Sequence, residues 1–353
     1  MTYMRRIAWL SLLIIAAGCE VTEPFAQVNL KIEMQYSPPL TRAGQGSSYA
    51  PPDEVISNGV ILEFNQDGEL LERVPFTGND GPVLPVRRNQ HMDIYVIANP
   101  TVNLSGIASR DEFLSTQSEY RANSAGRLEM TGHLSGIFDK DATVSVAMER
   151  TVAKITLDAL VFKLTTSKYN YTGATLRQAY MEKTPASCGY DYSVSGNYLD
   201  AYEQKIGIGY FDRYPSVIKY TEGEYKVFEY NHPQTVYCYP NDSQDAADRN
   251  KFAVSYRLDY TIPGVDLFTG EPIVLARYDD NCVHLVMPPL RPNTAYELER
   301  LTIIGARNQT VYLETKSGED AEAETCVFRM TDMTSGEFLG YAEGEVEYEM
   351  QDS

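Results

Sequence analysis

Apolar and polar residues alternate without a break from Val28 to Tyr36. Val28, Leu30, Ile32, Met34 and Tyr36 fall on one side, and Asn29, Lys31, Glu33 and Gln35 on the other. Successive side chains of an extended chain point to opposite faces, so a period of two is the signature of a half-buried β-strand. The period returns along most of the chain. "VILEFNQDGELLERVPF" (60–76) is two apolar runs around Asp67-Gly68, the dipeptide of a tight hairpin turn. "MDIYVIANP" (92–100) is an almost continuous apolar strand closed by Asn99-Pro100. "ATVSVAMERTVAKITLDALVFKL" (142–164) alternates at Val144, Val146 and Met148 and restarts at Ile155. Further strands are expected at 225–231, 234–240, 250–263, 282–290, 295–305, 310–316, 325–331 and 343–350.

Helical patterning is sparse. "SRDEFLSTQSEYR" (109–121) opens on a Ser N-cap with acids in its first turn, and "DAADRNK" (245–251) has room for one turn. Many short strands broken by Gly, Pro, Asn and Asp predict an all-β chain of antiparallel sandwiches. A length of 353 residues suits two in tandem, and we place them at 43–152 and 153–353. The stretch 165–235 is weakly patterned and is expected to hold long loops. Nearly half of the 26 tyrosines fall between Tyr180 and Tyr239. Tyrosine serves as strand and loop filler and, where exposed, as a stiff contact residue for sugars and proteins.

The N-terminus carries an export signal. Arg5 and Arg6 precede the apolar run from Ile7 to Ile15, which ends in Ala16-Ala17-Gly18-Cys19. Basic start, short apolar core and small residues form a secretory leader, here residues 1–18. The run falls short of the roughly 20 residues that span a bilayer. A cysteine directly after Ala-Ala-Gly resembles a bacterial lipobox, which implies that Cys19 is acylated and heads the mature chain. Such acyl chains tether a protein to a membrane through buried methylenes. Cys188, Cys238, Cys282 and Cys326 remain, none at metal-finger spacing. An oxidising compartment permits disulfides among them, and a chain of this size does not require them.

No motif for catalysis or cofactor binding is present. The four histidines, His91, His133, His232 and His284, lack paired ligand spacing, and no nucleophile elbow, phosphate loop or dinucleotide fingerprint occurs. Acid pairs such as Asp279-Asp280 are ordinary on a surface with a formal net charge of -19. That charge excludes nucleic acid as a partner, because no basic stripe is available to displace counterions from phosphates. The chain therefore reads as a non-enzyme with no metal and no cofactor.

Several of these segments, in order, resemble the fimbrillins, the subunits of type V pili of Bacteroidetes. The lipobox and leading strand come first, before "TRAG" (41–44). "VILEFNQDGELLE", "DIYVIANP", "LEMTGHL", "VSVAMERTVAKITL", "TVYCYPN" and "PPLRPNTAYELERLTIIG" follow. The resemblance implies two tandem transthyretin-like β-sandwiches and a role as a structural and adhesive subunit on the outer membrane and in the pilus. It implies that segment 19–42 is a removable strand whose buried face is Val28, Leu30, Ile32, Met34 and Tyr36. A protease would cut after Arg42, leaving Ala43 as the new N-terminus. The vacated groove would be refilled by an extended strand of another subunit. The tail "EGEVEYEMQDS", with Val346, Tyr348 and Met350 alternating with glutamates, is the candidate donor. Implied partners are other pilus subunits, the outer membrane through Cys19 before processing, and a host protein or glycan. The alternative is a surface lipoprotein that binds a glycan or host protein and never polymerises.

Overall fold

A computed structural model of the chain describes residues 24–33, 55–78, 80–119, 127–165, 169–194, 196–199, 218–230, 234–305, 307–318 and 320–346. The first part of the chain forms β1 (Phe25–Glu33), β2 (Gly59–Asn65), β3 (Leu70–Phe76), β4 (Asp80–Arg87), β5 (His91–Ala98), α1 (Arg110–Ser115), β6 (Gln117–Glu119), β7 (Met130–Ile137), β8 (Ala142–Ala147) and β9 (Glu149–Arg150). The next strands are β10 (Ala153–Leu157), β11 (Leu160–Thr165), β12 (Asn170–Glu182), β13 (Ser187–Gly189), β14 (Ile218–Glu222), β15 (Tyr225–Tyr230) and β16 (Gln234–Cys238). β17 (Lys251–Val265), β18 (Pro272–Val286), β19 (Thr294–Ile304), β20 (Gln309–Tyr312), β21 (Glu314–Lys316), β22 (Cys326–Asp332) and β23 (Phe338–Gly344) complete the order.

The fold is all-β, as the alternation predicts. A three-stranded sheet, β4-β1-β8, lies over a five-stranded sheet, β3-β2-β5-β7-β9. Val28, Leu30, Leu84, Val86, Ile61, Ile94, Val96 and Val146 fill the space between them. Phe113 of α1, with Leu104, Ile107 and Tyr190, covers Leu62, Phe64 and Ile97 on the opposite face of the five-stranded sheet. Burial on both faces is why "MDIYVIANP" lacks a polar side. A larger core joins a nine-stranded sheet, containing β10, β11, β14–β16, β19 and β21–β23, to the four-stranded sheet β12-β17-β18-β20. Phe162, Phe228, Leu301 and Phe328 meet Leu176, Phe252, Val254 and Leu285 there.

Several sequence expectations change in detail. Among the described residues four strand pairs are parallel, β1 with β8, β10 and β11 with β19, and β18 with β20, where antiparallel sheets were expected throughout. The helix expected over 109–121 stops at Ser115 and gives way to β6, which pairs with β13. Residues 246–248 form a turn, not a helix. The stretch 165–235, expected as loops, contains the 13-residue strand β12. β18 begins ten residues before the expected 282, at Pro272, and β23 begins at Phe338.

Polar side chains join the two sets of sheets. Asn293 accepts the Arg150 backbone N–H at 3.1 Å and donates to Thr334 Oγ1 at 2.9 Å; Thr334 Oγ1 donates to Met148 O at 2.7 Å. The fully buried Arg150 guanidinium donates to Met333 O at 3.0 Å. Buried donors and acceptors that find partners across a contact fix its geometry more strongly than apolar packing alone.

Candidate functional site

The alternation that opens the sequence is realised in β1. Ala26, Val28, Leu30 and Ile32 are buried while Phe25, Gln27, Asn29 and Lys31 are exposed. Ala26 extends the buried face one step before Val28, where the sequence pattern started. Met34, Tyr36, Arg42, Ala43 and Cys19 lie outside the described residues.

β1 sits between two strands. It runs antiparallel to β4, from Phe25 opposite Arg87 to Lys31 opposite Asp80, with a register shift between Asn29 and Lys31. It runs parallel to β8, from Val28 opposite Ala142 to Glu33 opposite Ala147. Among the described residues neither β4 nor β8 pairs with any other strand. The three-stranded sheet is therefore held together by its middle member. With neighbouring strands spaced about 4.8 Å apart, β4 and β8 flank a slot roughly one strand wide.

Two glycines permit the close packing here. A Cβ on Gly81 of β4 would stand 2.5 Å from Leu30 O and 3.0 Å from Leu30 Cβ. A Cβ on Gly132 of β7 would stand 2.6 Å from Val146 Cγ1. Burying Val28, Leu30 and Ile32 contributes about 1.5–3 kcal/mol each. Polar ties at the strand's ends are exposed. Arg88 Nε donates to Phe25 O at 3.0 Å, the Gln27 N–H donates to Asp141 Oδ1 at 2.9 Å, and Ser145 Oγ donates to Glu33 Oε1 at 2.6 Å. Exposed ties of this kind add little to the apolar term.

Glu63 faces the same side of β2 as Ile61 and is 3 % exposed. Burial pushes its carboxyl up to about 7, and neighbouring Glu72 adds to the shift while Arg87 opposes it. Glu129, fully buried, accepts from Tyr190 Oη at 2.6 Å and from the Thr101 N–H at 2.9 Å; burial still raises its carboxyl above the ordinary range.

The candidate donor residues divide. Val346 is 1 % exposed, packs in the chain's larger core and donates its N–H to Thr325 Oγ1 at 2.6 Å. Tyr348 and Met350 lie outside the described residues. Cys188, Cys238, Cys282 and Cys326 are all free thiols. His91 meets Ser135 Oγ at 3.1 Å, His133 meets Asp93 Oδ1 at 3.3 Å and stacks on Tyr95, and His284 meets Glu182 Oε2 at 3.4 Å. His232 lies outside the described residues. Among those described, no three or more His, Cys, Asp or Glu side chains are grouped to hold a metal ion. Tyr190, Tyr230 and Tyr239 of the tyrosine-rich stretch are buried and Tyr220 is exposed.

Two surface features went unread in the sequence. β17 and β18 form a long hairpin that outruns its neighbours: β12 reaches only Thr261, and β20 pairs with β18 only over Val283–Val286. Its tip bears Leu267 and Phe268, 96 % and 100 % exposed. Asp266 stiffens the tip by accepting the Phe268 and Thr269 N–H groups at 2.8 and 2.9 Å. These bonds hold its carboxyl below the ordinary range. The second feature is a basin of about 570 Å³ on the nine-stranded sheet, lined by Lys163, Tyr220, Tyr225, Arg300 and Ile304 among others.

No family profile and no curated protein matches the sequence. Solved structures do. A protein from Parabacteroides distasonis ATCC 8503, provisionally assigned to cell adhesion, superposes with a TM-score of 0.50 at 14 % identity, over 80 % of this chain and 88 % of that one. A fimbrilin from Porphyromonas gingivalis W83 gives 0.43 at 12 % identity, over 80 % and 91 %. A fimbrial assembly protein from Parabacteroides distasonis ATCC 8503 gives 0.42 at 12 % identity, over 92 % and 100 %. At these identities the first of them establishes a shared fold.

Proposed function

We propose that the chain is a structural or adhesive subunit of a surface pilus and that β1 is a temporary plug in its fold. On this reading, residues 1–18 direct export, lipid on Cys19 tethers the precursor to the outer membrane, and cleavage after Arg42 frees segment 19–42. Two sandwich domains, 43–152 and 153–353, remain. The slot between β4 and β8 then accepts an extended segment of another subunit, which is β-strand addition used for assembly. The chain works by packing, without catalysis or a cofactor.

The observation that carries the reading is the position of β1. Its apolar face is buried, yet its two neighbours have no other strand partner among the described residues. Its departure would expose Leu84, Val86 and Val146 together with two unpaired strand edges, a surface that demands a replacement. A strand alternating like β1 fits; a helix does not. Because Val346 is packed in the chain's own core, the donor segment starts beyond it, with Tyr348 and Met350 as its apolar members.

N-terminal sequencing of the surface-exposed form, with digestion by an Arg-directed protease, tests this. The expected result is a chain beginning at Ala43, release of the lipidated peptide, and SDS-resistant ladders. A surface form that keeps Cys19 and stays monomeric after cutting at Arg42 overturns it. The second reading, a non-polymerising lipoprotein that binds a glycan or host protein, draws on the basin with Tyr220 and Tyr225. Oligosaccharide binding by the uncut monomer favours it.

A further inference from the structure

The long hairpin leaves one strand edge unpaired. From Lys251 opposite Val286 to Val265 opposite Pro272, β17 and β18 keep register without a shift. In such a ladder the N–H and C=O of one residue point to the same side, and successive residues point to opposite sides. Met287, next after β18, donates its N–H to Asn250 O at 2.9 Å, so odd-numbered residues of β18 bond towards β17. Val286 O accepts the Leu313 N–H at 3.0 Å, and the Cys282 N–H donates to Asn308 Oδ1 at 2.7 Å. Even-numbered residues therefore bond away from β17, on the side of β20. Since β20 pairs only with Val283–Val286, the backbone groups of Val274, Ala276, Tyr278 and Asp280 have no strand beside them among the described residues.

This edge is open and flat. Pro272, Val274 and every residue from Ala276 to Asp280 are exposed. Long edges are ordinarily blunted by lysine, an internal proline, a bulge or a covering element. From Ile273 to Cys282 there is no lysine, no proline and no bulge, and the charges are Arg277, Asp279 and Asp280. The Arg257 guanidinium lies 4.0 Å over the Tyr278 ring and holds it against the sheet. A row of free backbone groups on a rigid strand is a template for a further strand.

Geometry and charge select the strand that fits. The edge closes at Cys282, whose N–H is taken by Asn308 and beyond which β20 begins, and it ends at Pro272, where the hairpin turns. If β18 of a second copy lies antiparallel there, even-numbered residues must oppose even-numbered ones, because only those point outward. Two registers use the whole window: Ala276 opposite Ala276, or Arg277 opposite Arg277. The second opposes two like charges directly, which is destabilising. The first sets Tyr278 opposite Val274, Leu275 opposite the Arg277 stem, Asp279 opposite Ile273 and Asp280 opposite Pro272. It opposes no like charges, and it keeps the Asp279 residues of the two copies about 20 Å apart.

We propose that two copies of the chain join β18 to β18 across this edge, antiparallel about a two-fold axis at Ala276. Ala276 exchanges N–H···O bonds with its counterpart, and Val274 does so with Tyr278. The four-stranded sheets of the two copies then run on as one. The contact uses the same patch on both sides and closes on itself. It lies apart from the slot that holds β1, so it stands or falls separately from strand exchange. A contact of one strand edge is small and belongs to the weak, transient class. Its bonds are backbone and apolar while each copy carries a formal net charge of -19, so added salt strengthens it by screening the repulsion.

The test uses the uncut full chain, in which β1 fills its own slot. Sedimentation over a concentration series reads the dimer, and residue-resolved amide exchange reads the edge. The expected result is a reversible dimer that tightens between about 0.02 and about 0.2 M salt. Amides of Val274, Ala276, Tyr278 and Asp280 should exchange fast in the monomer and slowly in the dimer; those of Ile273, Leu275, Arg277 and Asp279 should be protected in both. Ala276→Pro removes an outward N–H and no bond to β17, and should weaken the dimer by about tenfold or more. Val274→Lys sets a charge against Tyr278 and should act in the same direction, which serves if the proline variant folds poorly. Leu267→Ser with Phe268→Ser, beyond the paired segment, should leave the dimer unchanged. A chain that stays monomeric, a dimer that neither edge substitution weakens, or a dimer lost with the tip overturns the proposal. So does slow exchange at Val274, Ala276 and Tyr278 in the monomer, which would mean that a segment of the chain itself covers the edge.

Discussion

At the scale of single residues, two asparagines hold the backbone where strands begin or end. Asn99 sits at φ 51° and Asn293 at φ 54°, left-handed conformations that asparagine tolerates better than most side chains. Asn99 accepts the Ser57 N–H at 2.9 Å and donates to Val55 O and Leu128 O at 2.7 and 2.9 Å, tying three segments where "VIANP" ends a strand. Neither role shows as periodicity, so neither was legible in the sequence. Glu63 is a residue at which the fold is strained by charge. Its carboxyl is raised from about 4.5 to about 7, so the folded chain binds a proton more tightly than the unfolded chain. The stability linked to Glu63 is therefore complete below about pH 4.5 and is lost as pH rises towards 7. Its Oε2 has no hydrogen-bond partner among the described residues. Glu63→Gln should stabilise the protein at pH 8 by about 1–3 kcal/mol and make little difference near pH 4.5. Urea titrations at the two pH values decide it, and an equal effect at both would contradict the assignment.

At the scale of elements, strands were legible where one face is buried and the other wet. β1 and β8 follow their alternation closely. β18 was missed over its first ten residues for a physical reason: that portion belongs to the protruding hairpin and is largely exposed on both faces, so it carries no core pattern. β12 was missed because bulges between Tyr171 and Gly173 and between Leu176 and Gln178 shift its period of two. The slot that holds β1 was legible only as one strand. Its walls, β4 and β8, are far apart in sequence, and no local pattern marks them as neighbours. Gly81 is the element-level test of that slot. An alanine there would drive its Cβ against Leu30 O, an overpacking that costs about 1–3 kcal/mol. Gly81→Ala should speed amide exchange across 25–33 while leaving β2 and β5 protected. Uniform loosening of both sheets would mean that β1 is not an independently held element.

At the scale of the whole molecule, two apolar cores joined through Asn293, Arg150 and Thr334 leave the hairpin tip as the largest exposed apolar projection described. Leu267 and Phe268 are held out by a bonded turn rather than by a loose loop. Replacing both by serine should leave the melting temperature unchanged, within about 0.5 kcal/mol, and should lower binding of an apolar fluorescent dye. A large loss of stability would mean that the tip packs against residues outside those described. The net charge of -19 keeps separate copies apart at low salt, so any contact between them is made against repulsion. One last consequence comes from the mixed pairing of β1, parallel to β8 and antiparallel to β4. Any strand that takes its place by the same bonds inherits its heading. On the reading proposed above, copies joined in this way would all point alike, and a row of them would have unlike ends.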